Sequence, residues 1–127
     1  MTRTILIVED ADTAATTLEI ALLGLPGVQV ERVRDGLRAL EYLAPAAGRA
    51  VDALVTDLEL PFLDGFELIT RLRGEARFAG LPIVVVSGHS DPQAAERVRR
   101  LGASAFFGKP WSPAEVRQAV AGLLNLS

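Results

Sequence analysis

Hydrophobic and polar positions along the chain form a repeating pattern that predicts five β-strands, each followed by an α-helix. The strand signals are short apolar or alternating runs bounded by turn-forming residues. They fall at residues 5–8, 28–33, 53–55, 83–86 and 105–107. Residues 5–8 are continuously apolar, which is typical of a strand covered on both faces, and residues 53–55 indicate a buried strand. Residues 28–33 alternate and indicate a strand near an edge.

Between the strands, apolar residues recur with the spacing of amphipathic helices, and capping signals mark where those helices begin. Asp12 or Thr13 is expected to cap the first helix, and Asp35 precedes the second. The fourth helix is expected to follow an Asp91 cap with Pro92 at its first position. Ser112 begins the sequence Ser-Pro-Ala-Glu, which predicts a capping box at the start of the fifth helix.

Alternating strands and helices require a parallel sheet with right-handed crossovers and helices on both faces. The chain has 127 residues and half of them are apolar, so one domain with a sizeable core is expected over residues 1–127. The predicted fold class is therefore α/β, a doubly wound five-stranded parallel sheet.

Polar side chains follow four of the predicted strands. Glu9 and Asp10 come directly after the first strand, Asp57 ends the third, Ser87 ends the fourth and Lys109 follows the fifth. Because parallel strands all end on the same edge of the sheet, these five side chains are expected to meet there, where open α/β sheets keep their chemistry.

Such a group can carry phosphoryl chemistry. Carboxylates about 4 Å apart repel by roughly 4 kcal/mol at an effective dielectric constant of 20, which favours raised pKa values or a bound cation. An all-oxygen site with few protein ligands suits Mg²⁺. Lys109 and the Ser87 hydroxyl can contact phosphoryl oxygens, and Asp57 can act as a nucleophile that forms an acyl phosphate. Taken singly, each residue also has an ordinary interpretation as a helix-start charge, a turn former or a surface lysine.

Composition excludes several other classes. The absence of cysteine excludes disulfides and thiol catalysis and fits a reducing, cytoplasmic location, and a single histidine excludes multi-histidine metal sites. A net charge of −3 gives no basis for direct nucleic-acid or anionic membrane binding. No apolar run approaches the roughly 20 residues of a membrane span, and the start of the chain lacks a signal peptide.

The chain resembles the receiver domains of bacterial two-component response regulators, with a chemotaxis-regulator-like organisation, along its whole length. The matching positions are Glu9-Asp10, Asp57 with Pro61 and Asp64-Gly65 after it, Ser87, Phe106 and Lys109-Pro110. The combined spacing is specific, although no single motif is. Two positions depart from the usual pattern, since Phe106 often has a tyrosine counterpart and Trp111 stands where phenylalanine is common.

The resemblance implies a flavodoxin-like fold in which Asp57 accepts a phosphoryl group, with Lys109 and Ser87 assisting. It implies Mg²⁺ as the cofactor, with the metal-binding residues Glu9, Asp10, Asp57 and, through its backbone carbonyl, Glu59. Ser87 and Phe106 would form the switch, and the Lys109-Pro110 peptide bond would be cis. The domain would assist its own phosphorylation and dephosphorylation without being an enzyme that acts on a separate substrate.

The implied partners are a sensor histidine kinase or phosphotransfer protein and a downstream output protein or domain. A surface built from the fourth helix, fifth strand and fifth helix would bind the output or a second copy in a homodimer. Glu59 and His89 each follow a site residue by two positions, and we expect them to tune the lifetime of the phosphoryl group. The kinase, the pathway, the oligomeric state and whether the chain is a stand-alone regulator or a fragment stay open.

Three alternatives stay open at this stage. A flavin- or nucleotide-binding module of similar topology would need a phosphate-binding loop after the first strand, where Glu9 and Asp10 stand instead. An aspartyl-phosphate phosphohydrolase would carry a second aspartate two residues after its nucleophile, where Glu59 stands. The third is a receiver fold used purely for binding, against which the intact acceptor, acidic pair and lysine argue.

Overall fold

The computed structural model describes residues 2–88 and 92–126, in which five strands alternate with five helices. The strands are β1 (Arg3–Val8), β2 (Val28–Val33), β3 (Ala53–Thr56), β4 (Ile83–Ser87) and β5 (Ala105–Gly108). The helices are α1 (Asp12–Leu23), α2 (Gly36–Leu43), α3 (Gly65–Arg73), α4 (Ala94–Leu101) and α5 (Pro113–Leu123). Short 3₁₀ turns occupy Pro45–Ala47 and Ala76–Phe78. The predicted α/β fold is confirmed.

All strand pairs are parallel, and the strand order is β2-β1-β3-β4-β5. Val8 at the end of β1 lies opposite both Val33 and Thr56, so these three strands end at the same level. Ser87 at the end of β4 pairs with Gly108 at the end of β5. The register therefore places the residues that follow each strand along one edge, which we call the carboxyl edge.

The sheet separates two apolar layers, and successive residues of each strand contribute to opposite layers. Ile5 and Ile7 pack with residues of α1 and α5, whereas Leu6 and Val8 pack with residues of α2, α3 and α4. The edge strand β2 has no fully buried residue, which agrees with its alternating pattern. The central strands β3 and β4 are buried throughout, which explains their continuous apolar runs.

Three helices begin with side-chain caps. The side chains of Asp35, Asp64 and Ser112 accept hydrogen bonds from the backbone N–H groups three residues further on, at 2.7, 2.9 and 3.3 Å respectively. The predicted cap at Ser112, with Pro113 as the first helical residue, is confirmed. These caps satisfy N–H groups that have no partner within their own helix.

Two predicted helix starts are wrong. The residue before α1 is Ala11, which makes no side-chain cap. Asp12 is already helical, and its carboxylate pairs with Arg32 of β2 and with Arg34 just after that strand instead of capping the helix. The helix α4 begins at Ala94 rather than at Pro92. Pro92 lies in a turn, and the fixed φ angle of proline suits a turn as well as the first position of a helix. The proposed Asp91 cap falls outside the described residues.

Two glycines allow close approach of the chain to the loop that follows β3. A Cβ atom on Gly65 would lie 2.7 Å from the Cα of Leu58, and one on Gly36 would lie 2.9 Å from the Cβ of Leu63. Real Cβ atoms do not come this near to other atoms, so both positions require glycine. The starts of α2 and α3 therefore hold the loop of residues 58–64 tightly against the sheet.

Candidate functional site

A cleft of about 710 Å³ opens at the carboxyl edge between the first turns of α1 and α5. Its lining includes four residues that the sequence predicted to meet, Glu9, Asp57, Ser87 and Lys109, together with Trp111. Each reaches the cleft because its strand ends there, so the topology assembles the group from four separate strand ends.

Asp57 follows β3 and is half-buried at the floor of the cleft. Its Oδ1 atom accepts a hydrogen bond from the backbone N–H of Leu58 at 2.7 Å, and the Glu59 N–H and the Ser87 side chain also bond to the carboxylate. Burial raises the pKa of Asp57, the three hydrogen bonds oppose that rise, and the charge of Glu59 adds to it. The charged form of Asp57 is therefore incompletely compensated by the protein alone.

Glu9 is the second buried carboxyl group, with only 5% of the residue exposed. Its Oε2 atom accepts a hydrogen bond from the Ala11 N–H at 3.1 Å, and its carboxyl group interacts with the neighbouring Asp57 carboxyl group through charge and hydrogen bonding. Burial raises the pKa of Glu9, the Ala11 hydrogen bond opposes this, and the charge of Asp57 raises it further. The pair favours a shared proton or a bound cation.

Asp10 is exposed and lines a neighbouring surface depression rather than the cleft, so two carboxylates crowd each other rather than the three that the sequence predicted. Within residues 2–88 and 92–126, no three acidic, histidine or cysteine side chains are already gathered as a metal-binding group. The donors nevertheless fit Mg²⁺, which usually binds one or two carboxylates and keeps several waters. Glu9 and Asp57 supply a buried acidic pair, and Asp10 and the backbone at Glu59 lie beside it in the chain.

Ser87 and Lys109 lie on the other side of Asp57. Ser87 is the last residue of β4 and is 1% exposed, and its carbonyl oxygen accepts a hydrogen bond from the Lys109 N–H at 2.9 Å. The Lys109 side chain passes over Gly88, where a Cβ atom would lie 3.1 Å from the lysine Cδ and 3.7 Å from its Nζ. The cleft thus has an acidic side and a side with a hydroxyl and an ammonium group.

The remaining predicted residues have different positions. Phe106 is half-buried in β5 and packs against the layer that contains α4, opposite Val85 of β4. The Lys109-Pro110 peptide bond is cis, as the resemblance implied. Glu59 is exposed, and His89 lies outside the described residues, so their tuning of the phosphoryl lifetime stays a prediction.

Two features near the site were not predicted from the sequence. Arg32 near the end of β2 and Arg34 just after the strand extend to the loop that carries Glu9 and Asp10. The available signal was their spacing, since two arginines flank Val33 where β2 ends beside an acidic loop. The second feature is Phe62, which is 83% exposed and has a left-handed backbone with a φ of 69°.

The fold and the cleft together define a doubly wound α/β domain with an acidic pair, a hydroxyl and a lysine at its carboxyl edge. Residues 5–121 match the protein family described as response regulator receiver domain, and the chain belongs to this family. It is thus a receiver domain of two-component signal transduction, and this membership displaces the flavin-binding and phosphohydrolase alternatives.

Similar proteins have varied architectures. The chemotaxis protein CheV3 of Helicobacter pylori is 31% identical over 111 residues, which make up 83% of this chain but 36% of that protein. The two-component response regulator ORR3 of Oryza sativa subsp. indica is 32% identical over 112 residues, or 88% of this chain and 83% of that protein. The signal receiver domain of a histidine kinase from Syntrophus aciditrophicus superposes with a TM-score of 0.86 at 31% identity, covering 98% of this chain and 91% of that one.

Hence similar domains occur both as most of a protein and as a part of a longer one. In the described ranges, no helix has both the length and the apolar character needed to span a membrane.

Proposed function

We propose that this chain is a single phosphoacceptor domain in which Asp57 takes a phosphoryl group from a phosphohistidine of a sensor kinase or phosphotransfer protein. The observation that carries the proposal is the pairing of the buried Glu9 carboxyl group with the half-buried Asp57 carboxyl group, in a cleft that also contains Ser87 and Lys109. A phosphoryl group supplies the negative oxygens that the hydroxyl and ammonium groups can bind, and a cation relieves the acidic pair.

The reaction forms a bond between an Asp57 carboxylate oxygen and phosphorus while the bond between phosphorus and the histidine nitrogen breaks. Asp57 has to be ionised to attack, although burial raises its pKa. Mg²⁺, when bound, supplies positive charge that favours ionised carboxylates and neutralises phosphoryl oxygens. We assign its binding to the side chains of Glu9, Asp10 and Asp57 and to the backbone carbonyl of Glu59.

Lys109 offsets the charge that the phosphoryl group brings, and the Ser87 hydroxyl, which now bonds to Asp57, can donate to a phosphoryl oxygen instead. Ser87 and Phe106 lie on the neighbouring strands β4 and β5, so a change at Ser87 can be transmitted to Phe106. We assign the output surface to α4, β5 and α5, where it would bind an output protein or domain or a second copy of the chain.

The test is phosphorylation by acetyl phosphate with Mg²⁺, followed by intact-mass spectrometry. We expect the wild type to gain one phosphoryl group and Asp57→Asn to gain none, and removal of Mg²⁺ by a chelator to suppress the gain. Asp64→Asn is the matched control, because Asp64 lies in the same loop, is exposed and caps α3, a role that asparagine fills equally well. It should react at the wild-type rate.

Amide exchange of the phosphorylated wild type gives a second measurement, and the largest change should lie between Ser87 and Trp111. An Asp57→Asn protein that gained the same mass at the same rate would remove Asp57 from its assigned role. Full phosphorylation with no exchange difference in this region would remove the switch route while leaving the acceptor in place.

A further inference from the structure

The loop that carries Glu9 and Asp10 is held from outside the cleft by Arg32 of the edge strand β2 and by Arg34 just after it. Arg32 donates from Nε and Nη2 to the Glu9 carbonyl oxygen at 3.0 and 2.8 Å, and from Nη2 to the Asp10 carbonyl oxygen at 3.2 Å. Its Nη1 atom lies 2.9 Å from Oδ1 of Asp12. One guanidinium group thus contacts two carbonyl groups of the acidic loop and the first residue of α1.

The position of Arg32 is fixed by the sheet. It pairs with Ile7 in the β1–β2 ladder, one position before the strand end, and its side chain is only 18% exposed. Arg34 adds a second ion pair to Asp12 at 2.8 Å, but its side chain is 57% exposed and its bond to the Asp10 carbonyl is long, at 3.4 Å. Arg32 is therefore the main contact between β2 and the loop.

We propose that Arg32 is a positioning residue for the Mg²⁺ site, which fixes the Glu9 and Asp10 backbone so that their carboxylates face Asp57. This inference rests on the proposed function. Arg32 bonds to the carbonyl groups of Glu9 and Asp10, and the side chains of these same two residues would bind the metal. Groups that orient metal ligands from behind typically contribute 10- to 100-fold to metal affinity.

Charge and geometry predict opposite effects here, which makes the inference testable. A guanidinium group near a cation site repels the cation, so a role of Arg32 through charge alone predicts tighter Mg²⁺ binding when the charge is removed. A positioning role predicts weaker binding. It also predicts weaker binding in Arg32→Lys, because lysine keeps the charge but lacks the planar fork that bonds to both carbonyl groups.

The experiment is isothermal titration of Mg²⁺ into the wild type, Arg32→Lys, Arg32→Gln and Arg38→Gln. Arg38→Gln is the matched control, because Arg38 lines the same surface depression as Arg32 but is exposed on α2 and contacts Asp35 instead of the acidic loop. We expect the Mg²⁺ dissociation constant to rise about tenfold or more in both Arg32 variants. It should stay within about twofold of wild type in Arg38→Gln.

Phosphorylation kinetics with acetyl phosphate give a second measurement. If Arg32 acts through the metal site, saturating Mg²⁺ should restore the phosphorylation rate of Arg32→Lys to near that of the wild type. The Mg²⁺ concentration that gives the half-maximal rate should rise in this variant by the same factor as the dissociation constant. A folding defect would instead lower the maximal rate, and circular dichroism of both variants monitors the fold independently.

Wild-type affinity in Arg32→Lys, or tighter binding in Arg32→Gln, would overturn the inference. If the wild type is phosphorylated on Asp57 with Mg²⁺ but the Arg32 variants behave like Arg38→Gln, only the role of Arg32 is rejected. A wild type that binds no Mg²⁺ at millimolar concentrations would reject the metal site itself and the role of Arg32 with it.

Discussion

At the amino edge of the sheet, the charge of Arg73 is surrounded by carbonyl acceptors, whereas at the carboxyl edge Glu9 and Asp57 place two carboxyl groups side by side. Arg73 donates to the carbonyl oxygen of Gly102 at 2.8 and 3.1 Å and to that of Leu81 at 2.7 Å, and also bonds to the Phe78 carbonyl. Both regions thus take charge out of water, but Arg73 meets only acceptors, whereas the hydrogen bonds to Glu9 and Asp57 are opposed by the second carboxyl group.

The amino edge shows how the fold is held together. Burial lowers the pKa of Arg73, but arginine starts so far above neutral pH that it stays charged. Its guanidinium group joins the end of α3 to the segment before β4 and to the end of α4. No β-ladder joins these parts of the chain, so the hydrogen bonds of the Arg73 side chain connect them instead.

At the carboxyl edge, the pKa values of Glu9 and Asp57 are raised, so ionising these groups costs free energy when no cation is bound. The left-handed backbone of Phe62 costs free energy as well. Such costs concentrate at functional sites, where stability is exchanged for chemistry. The comparison therefore predicts that substitutions at the amino edge destabilise the fold, whereas selected substitutions at the carboxyl edge stabilise it.

The largest effect is expected for Arg73→Met, which keeps much of the side-chain volume but leaves the carbonyl groups of Gly102 and Leu81 without this donor. Buried acceptors without partners cost about 1–3 kcal/mol, so unfolding in urea should show a loss of about 3 kcal/mol. Arg71→Met, two residues earlier at an exposed ion pair with Glu67, should lose less than about 1 kcal/mol. Equal losses in the two variants would contradict the assigned role of Arg73.

A smaller effect of opposite sign is expected for Glu9→Gln. The glutamine can still accept from the Ala11 N–H, but it removes the repulsion with Asp57, so stability without Mg²⁺ at pH 7 should rise by about 1–2 kcal/mol. Glu41→Gln, an exposed change of the same charge on α2, should shift stability by less than about 0.5 kcal/mol. A Glu9→Gln protein no more stable than Glu41→Gln would show that the pair is not repulsive.

The same pair gives a pH dependence with a defined sign. Because folding raises both pKa values, the folded protein binds more protons than the unfolded chain above about pH 4. The contribution of these two groups to the free energy of unfolding is most favourable below the ordinary carboxyl pKa. It is lost as the pH rises through their raised pKa values. Urea unfolding between pH 4 and pH 8 should show this loss in the wild type, and Glu9→Gln or millimolar Mg²⁺ should reduce it.

The smallest effect is expected at Phe62. A left-handed backbone costs residues with a Cβ atom about 1–2 kcal/mol, and asparagine tolerates it better than phenylalanine. Phe62→Asn should therefore gain up to about 1 kcal/mol in urea unfolding, whereas Phe62→Ala, which removes the ring but keeps an ordinary Cβ, should gain little. Equal stability of the asparagine and alanine variants would contradict the assignment of strain to this backbone.

The strands and the main site residues could be predicted because their signals are local. The buried runs of β3 and β4 specify strands, and a parallel sheet then places Asp57 and Ser87 at one edge whatever the loops do. The helix starts at Asp12 and Pro92 were predicted less well, since Asp12 is drawn to arginines about 20 residues away in the chain. Arg73 could not be assigned from the sequence, because its partners are backbone carbonyl groups that leave no residue-type signature. For Arg32 the only signal was its place at the end of β2 beside an acidic loop.

The two glycines that approach the loop after β3 also limit how this sequence can vary. At Gly36 and Gly65 even a methyl group meets the loop backbone or the Leu63 side chain, so neither position is open to drift. Sequence divergence near the acceptor is thereby confined to the exposed residues between these two points, Glu59 and Phe62 among them. The fold thus places positions that require glycine only a few residues from exposed positions that can change. Substitutions at the exposed positions can alter which partners bind without disturbing Asp57.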